Sequence, residues 1–187
     1  MWIINTQEQI ETVENERALV DTFVDRNYNS EKINWLFEAR KGFDQHARDS
    51  WHLLIRVTAG HNTGYGFDHT VNAENYGTQL AAAIIDKLGI GFADLPCIVF
   101  RAKGEEFFFL KLGGKSKDEF FEEIGRVADL ARECQRENKS EGQDFRDYVN
   151  MQVANHLRRR KLLSATRSAL PALSNLLGGA VAITELV

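Results

Sequence analysis

Leu95-Pro96-Cys97-Ile98-Val99-Phe100-Arg101-Ala102-Lys103-Gly104-Glu105-Glu106-Phe107-Phe108-Phe109-Leu110-Lys111-Leu112-Gly113-Gly114-Lys115-Ser116-Lys117-Asp118-Glu119 is the stretch that decides the fold. Pro96 stands at a strand entry, where its missing N–H breaks no ladder bond. Cys97 to Arg101 is apolar and rich in β-branched and aromatic residues, which predicts a strand. Ala102-Lys103-Gly104-Glu105 turns the chain, and Glu106 to Leu112 returns it. Gly113-Gly114-Lys115 ends that second strand. Ser116-x-x-Glu119 fits a capping box, in which two orphan backbone donors are satisfied reciprocally. Phe120, Phe121, Ile124, Val127, Ala128, Leu130 and Ala131 then recur at helical spacing, predicting a helix from Lys117 to about Glu137. The stretch is a hairpin followed by a long amphipathic helix.

Toward the N-terminus, Trp2-Ile3-Ile4 reads as a first short strand. Ile10, Val13, Leu19, Val20, Phe23 and Val24 recur at roughly helical spacing, predicting a helix. Asn27-Tyr28-Asn29-Ser30 interrupts it and offers a cap for a second helix carrying Ile33, Leu36, Phe37 and Phe43. Trp51 to Thr58 is the best strand of this half. Its run Leu53, Leu54, Ile55 suits a central position covered on both faces. A glycine- and polar-rich loop follows from Gly60 to Asn72. The next helix carries Leu80, Ala81, Ile84, Ile85 and Leu88, with Gly89 as its C-terminal stop. Two parallel crossovers and an antiparallel hairpin make an α/β protein with a mixed sheet and flanking helices.

This order resembles the thioredoxin-like pattern over residues 2–136, with about two helices in the first crossover instead of one. The resemblance implies a cis proline at position 96, and a ligand-binding edge where Leu95 and Pro96 face the end of a neighbouring strand. The cysteine pair of the redox members is missing. Its expected place, after strand 51–58, holds Gly60-His61-Asn62-Thr63. Cys97 and Cys134 form no CxxC or zinc-type pattern. A cysteine opening an apolar strand behaves as a small buried hydrophobe. Thiol–disulfide exchange is therefore disfavoured, and two unpaired cysteines fit a reducing, cytoplasmic location.

The 187 residues suit one domain with appendages, and 43% hydrophobic content is enough for a core. A net charge of -4 gives no basic field, so nucleic acid is not an expected partner. The N-terminus lacks the basic and apolar regions of a signal peptide. Residues 1–137 are expected to form the α/β domain, and residues 138–187 a linker, an amphipathic helix and an apolar arm. The candidate chemical site is the 60–74 loop, because the carboxyl ends of strands are where open α/β sheets bind ligands. Gly60, His61 and Tyr65 would contribute binding, and His61, Asp68, His69 and Glu74 acid–base or metal chemistry. Their spacing matches no metal or phosphate motif, and no cofactor is expected.

The tail is the other unusual feature. Arg158-Arg159-Arg160-Lys161 precedes a segment, Ser168 to Thr184, that carries no charge. Leu170, Leu173, Leu176, Leu177, Val181 and Ile183 make it apolar, while Pro171 and Gly178-Gly179 break it. It is too short and punctuated for a stable span of about 20 apolar residues. Docking on protein, above all a neighbouring copy, is expected ahead of contact with a membrane surface through the basic run. The leading expectation is a non-catalytic binding or assembly module that self-associates or meets a partner through this arm. The alternatives are a hydrolytic or metal-assisted enzyme using the 60–74 loop, and a membrane-acting protein using the tail.

Overall fold

The computed structural model describes residues 1–5, 7–14, 16–26, 30–58, 64–65, 72–101, 107–160 and 163–166. Its elements in chain order are β1 (Trp2–Ile4), α1 (Gln7–Glu14), β2 (Leu19–Val24), α2 (Ser30–Ala47), β3 (Trp51–Arg56), β4 (Gly64–Tyr65), α3 (Thr78–Leu88), β5 (Cys97–Arg101), β6 (Phe107–Lys111), α4 (Lys117–Glu137), α5 (Gly142–Arg159) and β7 (Leu163–Thr166). One mixed sheet carries the strands in the order β4-β1-β3-β2-β5-β6-β7. β1, β3 and β2 run parallel, and β5, β6 and β7 continue antiparallel from β2. The short β4 pairs antiparallel with β1. Flanking helices complete the α/β architecture.

β2 corrects the sequence reading. Its six residues are all buried and sit in the middle of the sheet. Leu19, Val20, Phe23 and Val24 happen to fit a helical stripe. The intervening Asp21 and Thr22, polar in sequence, are 0% and 1% exposed. Tertiary pairing overrides the periodicity, since a strand covered on both faces need not alternate. The helix before it is only α1, and the first crossover therefore carries one helix, not two. The strand beside β5 is consequently β2, with Val24 opposite Cys97.

The remaining elements follow their local chemistry. Ser116 and Glu119 form the expected capping box at α4. Gly89 closes α3 with a positive φ of 64°, which glycine adopts without a Cβ clash. The Leu95-Pro96 peptide is cis. Directly below it, Leu112 N–H donates to the Pro96 carbonyl at 2.8 Å, and Gly113 lies so close to Leu95 that a Cβ there would run into the Leu95 carbonyl oxygen. Of the arm, α5 is the amphipathic helix, with Phe145, Val149, Val153 and Leu157 buried. The next described residues form β7 on the edge of β6, and residues 167–187 lie outside the described residues.

The core is aromatic. Trp51 packs against Phe43 of α2 and stacks on Phe100, and Phe100 stacks on Phe108 at 5.0 Å between centroids. Trp35 of α2 meets Phe120 of α4 edge to face. α2 and α4 thus lie side by side over one face of the sheet. Side chains alternate along a strand, so Leu54 and Arg56 of β3 point to the opposite face from Trp51. Among the described residues, no helix is long and apolar enough to cross a membrane.

Candidate functional site

The sequence-derived site is placed only in part. Gly60, His61, Asp68 and His69 lie outside the described residues. Tyr65 belongs to β4, on the outer edge of β1. Glu74 is exposed in a one-turn 3-10 helix, Ala73–Asn75, whose capping box is made by Asn72 and Asn75. No group of three or more His, Cys, Asp or Glu among the described residues is placed to hold a metal. Leu95 and Pro96 enter β5 beside the carboxyl end of β2. There Asp25 N–H donates to the Tyr76 hydroxyl at 2.8 Å, and the Tyr76 ring packs edge to face on Phe23.

The two thiols are inert by position. Cys97 is fully buried and its thiol is pushed well up by desolvation, then by Asp94 and Asp25. Cys134 faces the core from α4, and burial followed by Glu133 and Glu137 pushes it up to about 11. A thiol held in that form is a poor nucleophile. Both cysteines are free.

His52 is likewise held away from chemistry. Trp2 Nε1–H donates to His52 Nδ1 at 3.0 Å, so that nitrogen carries no proton. The other nitrogen, Nε2, then holds the hydrogen and donates it to Glu16 at 2.6 Å. Desolvation lowers the imidazole pKa and outweighs the opposing pull of Glu16. The ring is a structural tie between β1, β3 and the segment before β2.

One concave feature among the described residues is apolar. A groove of about 500 Å³ runs between α2 and α4. Leu36, Ala39 and Phe43 line one wall, and Phe121, Ile124 and Ala128 the other. Met1 floors one end, while Glu38 and His46 are its polar residues, His46 pairing with Asp129 at 2.9 Å. Gly42 and Gly125 face the groove from opposite helices, and a Cβ built on either meets nothing within 4 Å. The groove is open because both helices carry glycine where a side chain would otherwise fill the space. In sequence, glycines in the apolar stripes of two long helices are the available signal for such a groove, and Gly42 alone reads only as a weak point of its helix.

The basic run divides. Arg160 donates to the buried Glu123 of α4 at 3.1 Å, with Lys115 and Arg126 nearby. Arg158 and Arg159 are exposed at the end of α5. Lys161, Leu173, Leu176 and Leu177 lie outside the described residues. Comparison with protein-family models, curated proteins and solved structures finds no match.

Proposed function

We propose that this chain is a non-redox binding module on a thioredoxin-like scaffold, and that it self-associates by seating residues 167–187 of one copy in the α2–α4 groove of another. The scaffold reading draws on the β1-β3-β2-β5-β6 order, two parallel crossovers and the terminal hairpin and helix. In that pattern the reactive pair would follow the strand beside the proline strand. That strand is β2, so the corrected position is Asp25 to Ser30 rather than 60–63. No cysteine occurs there either. Without dithiol chemistry, binding is what the architecture has left to offer.

The observation that carries the assembly reading is the unfilled apolar groove. It matches the tail in chemistry: an uncharged segment with six large aliphatic side chains needs an apolar surface. Burying each such side chain contributes roughly 1.5–3 kcal/mol, which offsets the ordering cost of a short arm. The geometry favours exchange between copies. The tail departs from β7, five strands from β1, or roughly 24 Å at the usual strand spacing. A second copy can present the groove directly.

Light scattering across a concentration series tests this. The full chain should be a concentration-dependent dimer or higher assembly, and the chain lacking residues 167–187 a monomer. A full chain that stays monomeric throughout, or a truncated chain that assembles equally well, overturns the proposal.

A further inference from the structure

Arg56 ends β3 and is 1% exposed, yet none of its three guanidinium nitrogens has a hydrogen-bond partner. A buried arginine is ordinarily paired, because an uncompensated buried charge is among the costliest features a fold can carry. Burial alone acts on this one, lowering its pKa to about 10, so it stays cationic at neutral pH. Among the described residues, no carboxylate answers it.

Its surroundings point the same way. Ile4 lies opposite in register, at the carboxyl end of β1. On the other side the chain enters α3. Gly77 N–H donates to the Arg56 carbonyl at 2.9 Å, and the Cβ position of Gly77 lies 3.4 Å from the Arg56 Cβ. Gly77 is the N-cap of α3 and supplies no side-chain cap, and the first turn carries no acidic residue. The backbone N–H groups of Gln79 and Leu80 find no acceptor among the described residues. A helix start with unsatisfied donors and the positive end of its dipole therefore packs against the backbone and Cβ of the residue whose guanidinium is unpaired. Gln79 is exposed, which leaves this turn open to solvent.

We infer that Arg56 and the first turn of α3 form a binding site for a tetrahedral oxyanion, a phosphate or the phosphoryl group of a small ligand. A guanidinium offers a planar fork of donors, and the helix start adds N–H groups from another direction. Donors supplied from two elements and not confined to one plane suit a tetrahedral anion better than a planar carboxylate. The location agrees with the general placement of ligands at the carboxyl ends of parallel strands.

Thermal unfolding of the full chain, with inorganic phosphate or acetate titrated at constant ionic strength, tests the site. Phosphate should raise the wild-type Tm saturably by at least about 3 °C, and acetate should do much less. Arg56→Met, which removes the unpaired charge and keeps an unbranched chain, should be more stable than wild type without phosphate and unresponsive to it. Gly77→Asp, whose φ of -75° tolerates a side chain, places a carboxylate at the cap. It should stabilise the phosphate-free protein and abolish the phosphate response. An equal phosphate response in wild type and both variants overturns the inference. So does an Arg56→Met protein that is less stable than wild type in phosphate-free buffer, since that would mean the guanidinium is already paired within the chain. Acetate matching phosphate overturns the choice of a tetrahedral anion.

Discussion

At the scale of single residues, the interior carries ionisable groups that the fold does not neutralise with ion pairs. Asp21 is the clearest. It lies in the central strand β2, fully buried, with one carboxyl oxygen accepting from Trp51 Nε1 at 3.0 Å and the other without a partner. Desolvation raises its pKa well above the usual carboxylate value, and the Trp51 hydrogen bond opposes this only in part. The folded state thus holds a proton that the unfolded chain releases near pH 4. Stability is highest below that unfolded pKa and is lost as pH rises toward the raised folded value. Asp21→Asn keeps an acceptor for Trp51 and cannot ionise. It should be more stable than wild type at pH 8, because the wild-type carboxyl must either ionise while buried or hold a proton that the unfolded chain releases. The difference should shrink toward zero or reverse at pH 4. Urea denaturation of both proteins at the two pH values checks this. A variant that is equally destabilised at both would show that Asp21 is accommodated as a carboxylate. His52, whose pKa is lowered, acts with the opposite sign below pH 6.5, so only the paired comparison isolates Asp21.

At the scale of elements, what the sequence displays locally is recovered and what depends on distant partners is not. The α4 capping box, the Gly89 stop and the β5–β6 hairpin are written in adjacent residues, and all are legible. β2 is misread because Asp21 and Thr22 interrupt four apolar residues at a spacing that also suits a helix. Only its pairing with β3 on one side and β5 on the other makes it a strand. That error displaces the site expectation as well, moving the expected cysteine position from the end of β2 to the end of β3. The groove escapes notice because its walls come from helices some 80 residues apart in sequence, and because it is made of missing side chains. Arg56 stands in the sequence as the last residue but two of a predicted strand, and nothing local shows that a guanidinium is unpaired. One element junction offers a direct check. Gly113 follows β6 and packs against the Leu95 carbonyl. Gly113→Ala should cost about 1–3 kcal/mol through overpacking at the entrance of β5, whereas Gly125→Ala in α4, open at its Cβ, should not destabilise and should gain from helix propensity. Equal stability of Gly113→Ala and wild type would mean that the junction relaxes freely.

At the scale of the whole molecule, the sheet is capped at both edges by short strands, β4 on β1 and β7 on β6, which shields the longer strands from pairing with other chains. Association through sheet edges is thereby discouraged, and the apolar groove between α2 and α4 is the surface proposed above for a second copy. The same molecule supplies a leucine-rich segment after β7, Ser168 to Thr184, that carries no charge. The most direct measurement of this account is sedimentation equilibrium on the full chain and its Gly125→Leu variant, with thermal unfolding of each. A Cβ at position 125 meets nothing within 4 Å, so a leucine there projects into the groove, and it favours helix over glycine by about 1 kcal/mol. The account predicts a variant that is monomeric where wild type associates, yet at least as stable at a concentration where both are monomers. A Gly125→Leu protein that associates as tightly as wild type would contradict it.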